Sequence, residues 1–531
     1  MNFIVLKGRK SALVIELWLL LAAGCMMIGP DFKPPSVKVS QKWTETSDTS
    51  LIATPPRYRD WWDTFGDPVL TGLVQTAYAQ NLTLRAAGVR VLEARAQLGI
   101  AIGEFYPQQQ QLTGSINYNR LPVSIPYNLI NNTYWADMIG AEAGWEIDLW
   151  GKLRRGIESA DDSYLASVAS YDDVLVTLTA DVASNYVTLR ATQTELAIAR
   201  ENVTRQKTTL QITNDRFTGG VTSQLDVYQA ANVLGSTEAT IPQLTIQIAQ
   251  TKNALSVLLG LPPGSIDQML GASTAIPTAP DSVAAGIPAD LLRRRPDIRA
   301  AELTAAAQCS QIGVAKADLL PTLTLLGNVG TVGSNAGSNT LVDLFTSGSL
   351  AFSAGPSVSW NILNYGQITN NVRYQDAKFQ ELLVDYQNAV LQAQADVDNA
   401  LSLYTESRKQ TRYLEESVEA AAGAMRIALI QYKQGTTIFT AVLLAEENLL
   451  EAEDNYTLAD ANIPLGLINT YRALGGGWEI REGHDFVPAE TQAEMAQRTN
   501  WGRLLNPELL QPVAPGLPGP SDRSSLIRPP E

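Results

Sequence analysis

The chain says most of itself twice, and that constrains its fold more than any other feature. Leu84-Arg85-Ala86-Ala87 returns as Ile298-Arg299-Ala300-Ala301 at an offset of 214 residues, and the offset holds through Gln97/Gln311, Gly99/Gly313, Ala101/Ala315 and Pro107/Pro321. Farther on it becomes 215 and stays there, pairing Trp145 with Trp360, Gly151 with Gly366, Tyr171 with Tyr386, Asp181 with Asp396, Gly220 with Gly435 and Gly260 with Gly475. Residues ~80–260 and ~295–475 are therefore two copies of one unit. A repeat this large predicts a pseudo-twofold protomer, not a solenoid of short repeats.

Each unit runs in the same order: a short helix, a proline, two strand-like segments, then two long helices. In the strands, Leu112, Gly114, Ile116 and Tyr118 alternate with Thr113, Ser115, Asn117 and Asn119. Trp135, Ile139, Ala141, Ala143, Trp145, Ile147 and Leu149 share one face, broken by Asp137, while Glu142, Glu146 and Asp148 take the other. The second unit repeats the alternation over 323–329 and 350–362. One apolar face at period two fits a sandwich or a membrane barrel; segments of ~9–11 residues and the placement of the aromatics favour the barrel. Long loops, 121–133 and 331–348, follow each first strand.

The long helices carry heptads. Val168, Leu175, Val182, Leu189, Leu196, Val203, Leu210 and Phe217 recur every seven residues, and the offset carries them to Leu383, Val390, Val397, Tyr404, Thr411, Val418, Met425 and Tyr432. Sustained heptads mean coiled-coil packing. A helix from Lys152 to Phe217 would be ~100 Å long. Gly219-Gly220 and Gly435 end each long helix and turn it into an antiparallel partner, so each unit is a glycine-tipped helical hairpin hung below two strands.

Four membrane strands leave two open edges, which lipid does not tolerate. Two chains would give eight strands, whose interior fills with side chains; three give twelve, wide enough for a lumen. Closure therefore predicts a homotrimer whose polar face, with Glu142, Glu146 and Asp148, lines the pore.

Composition narrows the remaining classes. The net charge of −15 offers no basic stripe to nucleic acid. The single histidine, His484, excludes a His-rich zinc site, and two cysteines exclude a disulfide framework or an iron–sulfur cluster. No cofactor is implied and catalysis is not expected; His484 or paired carboxylates such as Glu142 and Glu146 are the only candidates for it. At the N-terminus, Lys7, Arg9 and Lys10 precede an apolar run over 11–23 that ends in Ala22-Ala23-Gly24-Cys25. This has the form of a signal peptide with a lipobox, making Cys25 the acylated first residue of the mature chain. Met26 at the next position suggests outer-membrane sorting.

The chain resembles outer-membrane efflux proteins of the TolC superfamily, in the NodT/OprM-like lipoprotein branch that works with resistance-nodulation-division (RND) pumps. The resemblance rests on Gly24 to Pro35 (GCMMIGPDFKPP), on Trp61-Trp62 with Phe65, Asp67-Pro68, Leu70, Leu73 and Asn81-Leu82, and on Ile287 to Arg299 (IPADLLRRRPDIR). It covers about residues 20–478. It implies a mainly helical protein with membrane β structure: a trimeric twelve-stranded barrel, four strands per chain, continued by a periplasmic helical tunnel with a belt of mixed structure. It implies an exit duct for small molecules, with a periplasmic adaptor, an inner-membrane RND transporter and outer-membrane lipid as partners. The divisions expected are a signal peptide (1–24), an extended segment (25–60), the first repeat (61–265), a linker (266–294), the second repeat (295–478) and an equatorial or disordered tail (479–531).

By the same resemblance the hairpin tips form a periplasmic gate. Asp226 matches an aspartate of the first tip and Tyr432 a tyrosine of the second. Where relatives carry a gating arginine this chain has Thr437, where drug-efflux relatives carry a constricting leucine it has Thr440, and where relatives place aspartate rings it has Ala441 and Leu444. The expectation is a gate resting on apolar contacts of Phe439 and Leu444, with Asp226 and Lys433 as its charges. Gly219, Gly220, Val221, Gly435 and Thr436 are expected to dock the adaptor. Two alternatives are a duct for peptide or protein secretion and a non-channel coiled-coil protein of the outer membrane.

Overall fold

The computed structural model describes residues 27–37, 40, 43, 51–52, 58–120, 133–280, 283–284, 294–335 and 344–506. The signal peptide, Cys25, the loop residues 121–132 and 336–343, the Ile287–Arg293 part of the signature and the tail from 507 lie outside the described residues.

Two short helices open the first repeat: α1 (Pro68–Gln80) and α2 (Leu82–Gly103). Asp67 caps α1 by accepting the Val69 and Leu70 amides at 2.8 and 3.2 Å, with proline at the first helical position. Strands β1 (Gln109–Arg120) and β2 (Thr133–Ile147) follow, then α3 (Lys152–Thr218, 67 residues) and α4 (Gln224–Leu258, 35 residues). The second repeat supplies α5 (Pro296–Ala317), β3 (Thr322–Ser334), β4 (Leu350–Ser359), α6 (Gln367–Gln434, 68 residues) and α7 (Phe439–Ala473, 35 residues). Helix α8 (Ala489–Arg498) closes the described chain. At 1.5 Å per residue α3 and α6 are each ~100 Å long. Both start at a glycine in the left-handed region, Gly151 (φ 77°) and Gly366 (φ 84°), where a side chain would strain the strand-to-helix turn.

The duplication persists down to single hydrogen bonds. Trp145 Nε1 donates to the Phe105 carbonyl at 3.2 Å, and its mate Trp360 to the Leu319 carbonyl at 3.0 Å. Asn81 Nδ2 holds the Leu258 carbonyl at 2.8 Å; Arg295, in the mate position, holds the Ala473 carbonyl at 2.9 Å. The amino acid changed, but the helix end it secures did not.

The four strands form one antiparallel sheet in the order β1-β2-β3-β4. The helices lie side by side as α4-α3-α7-α6, with α5 seated between α3 and α6 and α2 against α3. Sheet and helical slab thus each end in two open edges. β4 runs into α6, so those two edges lie on one flank, and β1 and α4 form the other. Heptad residues Val168, Leu175, Val182 and Leu189 of α3 and Val390, Val397 and Tyr404 of α6 are buried. The lowest positions differ between the two helices: Phe217 of α3 is 40% exposed, whereas Met425 and Tyr432 of α6 are buried.

The main core sits at mid-height, where the repeats meet. Trp61 stacks on Tyr471 at 5.3 Å between centroids, in a cluster with Trp62, Phe65, Tyr186, Leu189 and Leu467. Residues 478–506 wrap this core: Phe486, Val487 and Met495 are buried in it, and Arg481 forms a two-pronged ion pair with Asp172 of α3. Gly88 of α2 makes room for this strap, because a Cβ there would lie 2.0 Å from the Phe486 carbonyl oxygen. Gly88→Ala should therefore cost about 1–3 kcal/mol through overpacking and open residues 478–506 to protease in the folded protein. Thermal unfolding and limited proteolysis of the detergent-extracted protein check this; wild-type behaviour in both would show that the contact does not hold the strap.

Candidate functional site: strand faces, hairpin tips and N-terminal cradle

Register sorts the sheet into two chemistries. Leu112, Ala141, Val329 and Phe352 form one ladder row, and Gln111, Glu142, Asn328 and Ser353 form the next, on the opposite face. The first face bears Leu112, Ile116, Ile139, Val329, Phe352 and Val358, all exposed on the single chain. On the second, Gln111 Nε2 donates to Glu142 at 3.1 Å, and Glu146 shares the polar row with Thr324 and Ser357. Asp148 is placed differently from its expected partners. Its carboxylate turns into the start of α3, accepting the Leu153 and Arg154 amides at 3.1 Å and the Arg154 guanidinium at 3.0 Å. It is a helix cap, satisfying donors that the first turn leaves open. Asp137 stays on the apolar face but is buried against Gly333, where a Cβ would meet its oxygen at 2.6 Å.

At the lower end the two hairpin tips of one chain meet. Tyr432 and Phe439 pack edge to face at 5.4 Å, in a cluster with Ala230 and Val442. Phe439 is only 2% exposed, so within the chain it is core, whereas Leu444 is 53% exposed. The Asp226 carboxylate is held within its own turn by the hydroxyls of Thr222 and Ser223. The Tyr432 hydroxyl reaches Thr222 at 3.5 Å, which joins the second tip to the first. Lys433 and Thr440 are exposed and Thr437 is half-buried. The turn residues Gly219, Gly220, Val221, Gly435 and Thr436 are all exposed, beside Leu225, Tyr228 and Ile438. Gly220 and Gly435 take φ of 73° and 75°, the left-handed geometry that ends a helix.

One tip residue escaped the sequence reading. Arg216, in the last turn of α3, lies over the Tyr432 ring at 4.6 Å and donates to the Lys433 carbonyl at 3.1 Å. The only signal for it was a lone cation three residues before the Gly219 stop. Above the tips the seam between α3 and α7 is polar. Asn202 and Arg205 bind Glu453, and Thr209 donates to the buried Glu446 at 2.5 Å. Burial pushes the Glu446 carboxyl above the ordinary glutamate range, against the opposing pull of Thr209 and Arg205.

The third region lies where the strands give way to the helices. Met27 occupies the space that a Cβ on Gly151 would need, the Ile28 amide donates to the Trp150 carbonyl at 3.1 Å, and Gly29 sits against Gly313. Arg155, buried, bonds the Ile28 carbonyl, the Asp31 carboxylate at 2.7 Å and Glu158 at 2.7 Å. Nothing in the periodicity marks Arg155 for this role; its mate is Asn370.

His484 lies edge-on to Tyr78 at 5.9 Å in the strap. A cavity of about 520 Å³ at the belt is lined by Asp173, Arg295, Asp297, Asp396 and Arg472, with Arg295 paired to Asp297 at 2.8 Å. Among the described residues no group of three or more His, Cys, Asp or Glu is arranged to hold a metal ion, and no helix is long and apolar enough to cross a membrane.

The chain as a whole is similar to known proteins. The chain is 31% identical over 438 residues to nodulation protein T of Rhizobium leguminosarum bv. trifolii, covering 81% of this chain and 90% of that one. It is 30% identical over 476 residues to the toluene efflux pump outer membrane protein TtgI of Pseudomonas putida, covering 87% and 98%. The solved outer-membrane channel OprN superposes with a TM-score of 0.79 at 31% identity, over 85% of this chain and all of that one. The model of the outer membrane efflux protein family matches residues 73–261 and 287–476, one match to each copy of the repeat. The chain belongs to the outer membrane efflux protein family.

Proposed function

We propose that this chain is the exit duct of a tripartite efflux system. In this reading it closes as a homotrimer in the outer membrane and passes small molecules from an inner-membrane RND transporter, through a periplasmic adaptor, to the exterior. The observation that carries the reading is the coincidence of open edges. β4 and α6 end one flank, β1 and α4 the other, and both layers close by the same operation. Three copies give twelve strands and twelve tunnel helices. The apolar sheet face then meets lipid and the Glu142 row lines water, as closure without an edge requires. The family and its relatives in solvent export favour small-molecule efflux over peptide secretion.

The duplication supplies the register of the interface. Within one chain α5 touches α3, with Gln311 Nε2 donating to Ser159 at 2.8 Å. The mate positions are Gln97 on α2 and Tyr374 on α6; both are exposed. They become neighbours when α2 of one protomer packs on α6 of the next. Gln97→Cys with Tyr374→Cys, treated with a short bis-maleimide in intact cells, should yield covalent trimers. Either variant alone should yield monomers on a denaturing gel, and monomers from the pair would overturn the interface.

The tips form the gate and the docking surface for the adaptor. Asp226 ties down its own turn, Tyr432 and Phe439 join the two hairpins, and Leu444, Lys433, Thr437 and Thr440 surround the junction. Asp226→Ala and Phe439→Ala should each raise leak of a large antibiotic in a pump-deficient host several-fold. Unchanged permeability in both variants sinks the gate.

The cradle supports lipid anchoring at Cys25. Met27 is docked beside Gly151, and two residues reach at most ~7 Å, so an acylated Cys25 would enter the membrane at the base of the strands. Cys25→Ser should abolish incorporation of labelled palmitate; continued labelling would place the anchor elsewhere.

A further inference from the structure

We infer that Arg216 is the clamp that holds the two hairpin tips of one protomer together, and that it works as a ring-stacked, carbonyl-capping cation and not as an ion pair. The inference deepens the gate reading and rests on it.

Three observations converge. The Arg216 guanidinium lies over the Tyr432 ring at 4.6 Å. Its Nη1 donates to the Lys433 carbonyl at 3.1 Å, in the last turn of α6, where carbonyls lack helical partners. Its buried Nε has no hydrogen-bond partner, so the group is placed by the ring and the carbonyl. Among the described residues no carboxylate forms an ion pair with it, and both oxygens of Asp226, the acid of the first tip, accept from the hydroxyls of Thr222 and Ser223.

The clamp is one-sided. The mate of Arg216 at the 215-residue offset is Gln431, and Lys433 contributes its carbonyl while its side chain is exposed. A cation also suits the position electrostatically. It sits at the C-terminal ends of both long helices, where two helix dipoles point negative charge at it. Arg fits where Lys would not, because a planar fork can stack on the ring and donate in its plane at once.

Salt gives the clamp a signature. An exposed ion pair weakens as salt rises, because the Debye length falls to about 3 Å at 1 M. A ring contact and a carbonyl bond are screened far less. The test is single-channel recording of the full-length protein in planar bilayers, with trimer integrity checked on native gels. Arg216→Leu should raise the open fraction about ten- to thirtyfold, from the loss of one cation–π contact and one hydrogen bond. Arg216→Lys should recover only a small part of the closure. Tyr432→Leu should also open the channel, and the double variant should open less than the two single effects combined, because the ring contact they share is lost only once. The wild-type open fraction should change less than about twofold between 0.1 and 1 M KCl. Full closure in Arg216→Lys, additive opening in the double variant, or steep salt dependence each overturns the clamp. Phe439→Ala separates the two readings. Opening there with wild-type behaviour in Arg216→Leu keeps the gate and removes the clamp, whereas closure in both removes the gate as well.

Discussion

A strand in hydrocarbon must give every backbone N–H and C=O a partner, because no water is there to supply one. Four strands cannot meet that demand alone, and most of the architecture answers it. The sheet stays open at β1 and β4, the helical slab stays open at α4 and α6, and the flanks coincide because each strand pair feeds the helices below it. A closed barrel fixes how far apart the helix starts must be. The heptads then set how tightly the helices pack on the way down. Glycines at 151 and 366 make each joint without spending a linker, so the strands pass directly into the tunnel.

The two repeats show which parts of a duplicated fold are free to drift. Positions that secure a backbone kept their task while changing residue, as Asn81 and Arg295 did in holding the ends of α4 and α7. The tryptophans that tie the strands to the preceding helices kept both residue and task. By contrast, the Arg155 cradle and the Arg216 contact occur in the first repeat only, with Asn370 and Gln431 in the mate positions. The cradle binds a partner that exists once per chain, the N-terminal segment; the mate of Tyr432 is another ring, Phe217, so at the tips it is the cation alone that diverged.

What the sequence made legible follows the same division. Period-two alternation placed the four strands and sorted Leu112 from Gln111, because a pleated strand turns each successive side chain to the other face. Seven-residue spacing gave the long helices and the buried run from Val168 to Leu189. Less legible were side chains whose role depends on where the chain returns. Asp148 keeps the strand alternation in sequence, yet the strand stops at Ile147, one residue earlier, and the freed carboxylate caps α3. Arg216 belongs to no periodicity and finds its partner 216 residues later. The burial of Phe439 within the single chain is of this kind, because the tip of one hairpin is the wall of the other.

The one-sidedness of Arg216 limits how the lower end can move. Six hairpins that looked alike would open as an iris, each leaf shifting equally. Here the leaves come in two kinds, alternating around the ring, and only one kind carries the cation. Under the proposed clamp, three fastenings govern six leaves, so release would travel pairwise, with one hairpin of each chain yielding while its sibling stays seated. A duplication inside one gene allows this, because it lets neighbouring leaves diverge; six copies of a single-hairpin chain would have to change all leaves at once.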